Sequence, residues 1–389
     1  MRVVFPSKRV RMPLARTING FPQAAVINRL MTRGLLAGRD VPVVTTRATG
    51  RVGPSDLAVL GNNVPSIAYL SIGGWQVPMY GAFDTRTNLV TSQNVGGAAW
   101  YNEGNTPTVS TITGPNATIP TGYNISGGNR GFGFGTLNGT YVLSAWIQNS
   151  GEYLRFRRGS GGFNTFGQIN AGANWARVST IVVPDGASIF ELYTSSNLNV
   201  AGIQLELAPC LGPYIPTAGT AVTHNADQHV WTPSTGFSNG VPAEAVAFES
   251  PYGWSAAAGA PHPNGTNRIF DLGTVSTDGL NRAAGTGKDS FFASSTVNSA
   301  ESLPEVSGQV RMISVAWDGT NSAVYQRNVG GTPGALTLNA QTFARLGNRS
   351  TVDAAWSGYV GMLYVPGGLT TAERIALGNL TPQTLAYAA

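Results

Sequence analysis

Hydrophobic and polar residues follow a two-residue period over much of the chain beyond Asn88. Thr140–Gln148 (TYVLSAWIQ) reads as a half-buried strand, and in Glu152–Gly159 (EYLRFRRG) Tyr153, Arg155 and Arg157 alternate with Leu154 and Phe156. Trp175–Pro184, Ser188–Ser196 and Val200–Leu207 continue the series, with Gly, Asn or Pro between the runs. Alternation sends every second side chain to one face of a pleated strand, so this spacing predicts a sandwich. A second series begins near Ala226 with AEAVAFES, TNRIFDLGT, DSFFASST, QVRMISVAW, FARLGNR and WSGYVGMLYVPGG. Asp318–Gly319 between β-prone flanks predicts a hairpin. Between the two series, Val200–Gln228 carries Pro209, Gly212, Pro213, Pro216 and Gly219, which reads as a stiffened joint between two bodies.

Helical periodicity occurs twice. PQAAVINRLMTRGLLAG places Ile27, Leu30, Met31 and Leu35 on one face, with Pro22 before it and Gly38 after it. Such a helix either docks on a partner or packs on the protein's own body. LTTAERIALGNL (Leu369–Leu380) predicts a short closing helix capped by Thr370 or Thr371, with Glu373 near its positive end.

Composition sharpens this picture. Of 389 residues 42% are hydrophobic and only 11% charged, with 50 glycines, which suits many short strands joined by turns. The charge is unevenly placed. Residues 1–51 hold ten basic side chains against Asp40 alone, whereas the remainder holds 14 basic and 18 acidic ones. This asymmetry predicts a basic anchoring arm (1–51) for an acidic partner, with Arg2, Lys8, Arg9, Arg11, Arg16, Arg29 and Arg33 as its contacts. Residues 52–85 then form a connector with short strands that pair with a neighbouring subunit or the following domain. A chain beginning near Thr87 is expected to fold without them. The single cysteine, Cys210, excludes an intrachain disulfide. The basic N-terminal residues contain no unbroken apolar core of signal-peptide length, and no run long enough to span a membrane as a helix is present.

Two stretches carry a family resemblance. Thr87–Trp100 (TNLVTSQNVGGAAW) resembles the opening strand of carbohydrate-binding-module-like jelly rolls in bacteriophage fibre and appendage proteins. Ile203–Thr223 (IQLELAPCLGPYIPTAGTAVT) resembles their closing signature. VAWDGTNSAVYQ, ARLGNRS, WSGYVGMLYV and LTTAERIA are similar to pieces of laminin-G-like, concanavalin-type sandwiches. The resemblance covers roughly residues 86–380 and the arm matches neither part. It implies an all-β protein: two tandem antiparallel β-sandwiches of jelly-roll types (86–223 and 224–389) after a basic, partly helical arm. It further implies a virion structural protein of a phage or a phage-derived gene transfer agent. In that role a head fibre, spike or decoration protein adheres to host surface glycans, with a tail fibre as the alternative. A capsid or other virion protein would receive the arm, and a homo-oligomer, a trimer by analogy to fibres, is expected.

Candidate chemistry is sparse. Sugar recognition calls for aromatic faces and planar polar groups, with arginine for acidic sugars. Tyr153, Arg155, Arg157 and the adjacent Arg158 fit that description, against the reading of a solvated outer strand. Tyr252 and Trp254, in the loop SPYGWSAAAGAPHPNG, are the second candidates. Trp146, Trp175, Trp317 and Trp356 read as core. His224, Asp227 and His229 contain metal-ligand types at an unfamiliar spacing. Laminin-G-like domains can hold calcium on loop carboxylates, for which Asp271, Asp278 and Asp289 are available, yet no dense acidic loop stands out. No cofactor is expected. A glycan-degrading depolymerase needs paired carboxylates, and no closely spaced acidic run lies along one strand, so no catalytic residue is assigned. The arm lacks a nucleic-acid-binding signature.

Overall fold

The computed structural model describes residues 17–18, 21–47, 51–52, 59–60, 62–63, 65–157, 163–193, 197–233, 235, 237, 241–260, 262–263, 265, 267–273, 278–283, 287–293, 295–335, 338, 340–349, 355–380 and 385–387. Within strands, side chains are not described at 17–18, 21–22, 51–52, 59–60, 103, 149–157, 163–173, 185–189, 191, 193 and 386–387. The protein is all-β, with antiparallel sheets and two short helices, α1 (Gln23–Arg33) and α2 (Thr371–Gly378).

The C-terminal body is a sandwich. Its ten-stranded sheet contains, in spatial order, Asn321–Gln326, Arg311–Trp317, Ala243–Pro251, Gly358–Pro366, Trp75–Ala82 and Ile67–Ile72. Its seven-stranded sheet runs Ser295–Asn298, Asp289–Ala293, Asp278–Arg282, Asn267–Leu272, Ala344–Leu346, Gln228–Trp231, Val43–Thr46. Every residue of Ala243–Pro251 is buried, because both faces of this central strand are covered. Ala245, Ala247, Met362 and Tyr364 face the seven-stranded sheet. Val246, Phe248, Leu363 and Val365 face a second apolar layer that includes α1 and α2. The amphipathic helix of the N-terminal segment therefore packs on the protein's own body: Ile27, Leu30 and Met31 are buried there, and Gln23 Nε2 donates to Ala376 O at 2.7 Å.

Residues 23–82, expected as arm and connector, thus supply α1 and strands to both sheets. Val43–Thr46 pairs with Gln228–Trp231, and Trp75–Ala82 pairs with Gly358–Pro366. Removing everything before Thr87 would take these strands out of the sandwich, so the expectation of independent folding from Thr87 is corrected.

The jelly-roll body lies between these contributions. Arg86–Asn88 leads into it, and Val222–His224 leads out and pairs with Arg86–Asn88. The long strands Tyr141–Arg157 and Phe163–Val182 form its spine. The first half of Tyr141–Arg157 pairs with Asn197–Leu207, and the second half with Asp185–Tyr193. Register shifts between Ser144 and Trp146. There Gly202 adopts φ +53°, and a Cβ would stand 2.6 Å from the Trp146 ring, so a side chain is excluded. Trp100, Ile125, Leu143, Phe190 and Leu205 belong to the jelly-roll core.

The closing signature has a structural reason. Gln204 accepts from Ile215 N at 2.6 Å and donates to Pro213 O at 3.2 Å. Glu206 accepts from Gly212 N at 2.7 Å. Asn88 donates to Ile203 O and Ile215 O and accepts from Val90 N and Leu205 N. Buried side-chain amides and a carboxylate thus satisfy backbone groups that the proline-rich crossing cannot pair in a sheet.

The predicted hairpin is present: Trp317 pairs with Ser322, and Asp318 Oδ1 accepts from Thr320 N and Asn321 N. In α2 the Thr370 hydroxyl accepts from Glu373 N and the Glu373 carboxylate accepts from Thr370 N, a reciprocal cap. Thr370→Ala is expected to lower stability by about 1 kcal/mol in urea unfolding, with Thr370→Ser restoring most of it.

Candidate functional site

The residues singled out from the sequence do not converge on one site. Tyr153, Arg155 and Arg157 lie on the strand that pairs with Asp185–Tyr193, but their side chains are outside the described residues, as is all of Arg158. Arg2, Lys8, Arg9, Arg11 and Arg16 also lie outside them. Arg29 is exposed on α1. Arg33 is turned inward chemically: Nη2 meets Glu373 Oε2 at 2.6 Å and Gly368 O at 2.8 Å, which ties α1 to α2.

Tyr252 and Trp254 are not loop-tip platforms. Trp254 is only 7% exposed, donates from Nε1 to Ser357 O at 2.9 Å, and packs edge-on to His262 and Trp356. Tyr252 is half-buried with its ring edge against Phe83 and Tyr359. The loop folds across the end of the sandwich, where Ala256 pairs with Glu305. Trp254 and His262 anchor the loop inward while Ser255, Ala257, Ala258 and Gly259 stay exposed.

His224, Asp227 and His229 weld the chain rather than gather on a metal. Asp227 receives Arg47 Nη1 at 2.7 Å and Phe83 N at 3.2 Å. His229 Nε2 donates to Gly81 O, and its Nδ1 accepts from Thr45 Oγ1, both at 2.9 Å. Asp278 takes Gln341 Nε2 at 3.3 Å, and Asp289 takes the Gln326 amide. Among the described residues no group of three or more His, Cys, Asp or Glu side chains is placed to hold a metal ion. Glu249, Glu305 and Asp289 do meet, around the Arg311 guanidinium, and all three are fully enclosed between the sheets.

The outer face of the seven-stranded sheet has a different character. Register aligns Thr296, Phe292, Gly279, Asp271, Arg345, Val230 and Val44 in one row across all seven strands. The neighbouring row is Asn298, Ser290, Asn281 and Arg268. Inward-facing neighbours such as Phe291, Leu280 and Phe270 fill the core, so alternation leaves these rows on the opposite face.

Arg268 lies over Phe292, with its guanidinium 5.6 Å from the ring centroid, and faces Asp271 at 3.9 Å. Burial draws the Arg268 guanidinium below its ordinary value, and Asp271 opposes that shift. Arg345 lies over Phe343 at 4.8 Å. A Cβ at Gly279 would come within 2.5 Å of Asp271 Oδ1 and 2.8 Å of Arg268 Nη1, so glycine leaves room for that pair. Asn281, 4% exposed, keeps a buried side-chain oxygen without a hydrogen-bond donor among the described residues. Phe292, Arg345 and Val230 are half-buried, and Thr296, Asn298 and Val44 are exposed. The sequence reading placed these residues on strands but missed them as a set, because neighbours in the row are separated by up to a hundred or more residues of chain.

No family model matches the chain, and no curated protein matches it. Solved structures do. The chain is similar to a candidate carbohydrate-binding protein from Bacteroides ovatus, at 7% identity and a TM-score of 0.27, covering 78% of this chain and 88% of that one. It is also similar to the Trypanosoma rangeli sialidase bound to the inhibitor DANA, at 10% identity and a TM-score of 0.29, covering 84% of this chain and 54% of that one. The same sialidase as a covalent intermediate with 2,3-difluorosialic acid gives a TM-score of 0.27 at 10% identity. The chain therefore spans about half the length of the sialidase. At such scores these likenesses carry no argument about chemistry.

Proposed function

We propose that the protein is a glycan-binding adhesin and that the outer face of the seven-stranded sheet reads the sugar. The observation that carries this is the combination on one face of the half-buried Phe292 ring and Arg345 guanidinium with the exposed Thr296 and Asn298, the buried Arg268 lying against Phe292 behind them. An apolar sugar face packs on the ring, while hydroxyls bond to the Asn298 amide and the Thr296 hydroxyl and accept from Arg345. Two arginines against one aspartate favour a glycan with carboxylate groups. A binding role is supported by the enclosure of Glu249, Glu305 and Asp289, the carboxylates that cluster among the described residues.

The setting we propose is the surface of a phage or phage-derived particle, as the fibre-protein resemblance implies, with residues 1–16 as the attachment segment. Many copies on one particle would convert weak individual contacts into firm adhesion.

The test is binding of the purified chain to an array of neutral and uronate- or sialate-containing glycans. Retention on acidic glycans is expected. Phe292→Ala and Arg345→Ala should each weaken it at least tenfold with circular dichroism unchanged. A blank array, or equal binding by both variants, would refute the site.

A further inference from the structure

Independently of the seven-stranded sheet, a cavity of about 350 Å³ opens where the end of α2 meets the face of the ten-stranded sheet that carries Leu70, Phe248 and Met312. Its walls include Leu70, Phe248, Leu303, Val306, Met312 and Leu377. This volume lies at the lower end of the range for small-molecule sites, which are concave, mostly apolar and carry few polar groups. Among the described residues two cations line it, Arg311 and Arg327, and no aspartate or glutamate does.

The two arginines differ. The Arg311 guanidinium is already held by Glu249 and by Glu305, the latter at 2.6 Å. Arg327 is exposed, and only its backbone N–H finds an acceptor among the described residues, Met312 O at 3.5 Å. Its backbone adds a second observation. Gln326 pairs with Val329, so Arg327 and Asn328 form a two-residue hairpin loop. Arg327 stands there at φ +55°, in the left-handed region that glycine occupies at no cost and arginine does not. A strained residue that places a cation without a counter-ion on the lip of an apolar cavity is a reason to look for a ligand.

We infer that this cavity binds an unbranched aliphatic carboxylate, with the alkyl chain against Leu70, Phe248 and Met312 and the carboxylate on Arg327. The apolar walls exclude water from the chain. The carboxylate supplies the counter-ion that the protein does not, through a charge-assisted hydrogen bond.

Titration calorimetry on the full chain with decanoate and with decanol tests this. Saturable binding of decanoate is expected, with decanol at least tenfold weaker. Arg327→Gly suits the turn, so its melting temperature should be no lower than that of the parent, and it should lose the preference for decanoate. Arg327→Asn, which also tolerates the left-handed region, should behave alike. Val306→Trp, which fills the mouth, should abolish binding of both. Absence of saturable decanoate binding, or a preference that survives in both Arg327 variants, overturns the assignment. Neither result bears on glycan binding, whose residues lie on the other sheet.

Discussion

Replacing Arg86 with methionine is expected to lower the free energy of unfolding by about 3–5 kcal/mol, measured by guanidinium denaturation of the full chain. Arg86 begins the strand that leads into the jelly roll and is only 4% exposed. Its Nη1 donates to Cys210 O and stands 3.3 Å from Glu206 Oε2. Its Nη2 donates to Cys210 Sγ and to Ser357 Oγ, both at 3.2 Å. One guanidinium therefore contacts the closing strand of the jelly roll, the proline-rich crossing and the approach to the strand Gly358–Pro366 of the sandwich. Burial alone would depress its pKa. Glu206 and Cys210 more than reverse that, so Arg86 stays charged. Methionine fills similar volume but leaves the Glu206 carboxylate buried without its cation, and the cost is mainly that of the orphaned charge. Arg86→Met combined with Glu206→Gln should therefore recover a large part of the loss. If the double variant is as unstable as the sum of the two singles, the pair is not coupled and the joint is held by packing instead.

Why the sequence showed some of this and hid the rest follows from range. The capping box of α2, the Asp318 hairpin and the Gln204–Glu206 signature are read locally, since each partner lies within a few residues to about eleven. Strand membership of the N-terminal segment is not local. Thr45 meets His229 across 184 residues and Ser66 meets Tyr359 across 293. A short run such as Val43–Thr46 gives no sign of which distant edge it will join. Charge counting misled for a related reason. Arg33, Arg39 and Arg47 raised the arm's positive balance, yet Arg47 is 2% exposed against Asp227, and Arg39 caps the end of α1 by donating to Met31 O and Gly34 O. Counting cannot distinguish a cation displayed to a partner from one folded onto its own chain. The sheet-face rows were hidden in the same way, because only register reveals that Phe292, Asp271 and Arg345 are neighbours.

Stability should peak near pH 4.5 and fall on both sides, with the larger loss, about 3 kcal/mol, between pH 6 and pH 8.5. The alkaline limb comes from the buried cluster. Burial raises Glu249 from 4.5 to about 8; Arg311 opposes the rise, and Glu305 and Asp289 reinforce it. Burial likewise raises Glu305 to about 7, with Arg311 and Arg282 opposing. Three carboxylates share two guanidiniums, so the enclosure is short of one positive charge and retains a proton instead. A folded-state pKa above the unfolded value means that the native state binds more protons between pH 4.5 and 8. The associated stability is complete below 4.5 and is lost as pH rises through 7–8. The acid limb has the opposite sign. His262 is sealed between Trp254 and Trp356, and burial lowers its pKa from 6.5 to about 3, so the unfolded chain takes up a proton that the native chain refuses. Stability on that account falls as pH drops from 6.5 towards 3. Between 4.5 and 6.5 the histidine offsets only one of the two carboxylates, so stability already declines there, less steeply than above pH 6.5. Glu249→Gln keeps the shape, removes the titrating group and lets the remaining Glu305 and Asp289 balance Arg311 and Arg282. Melting temperatures from pH 4 to 9 should show the alkaline limb shrink in this variant while the acid limb stays. An alkaline limb of full size in Glu249→Gln would place its origin outside the cluster.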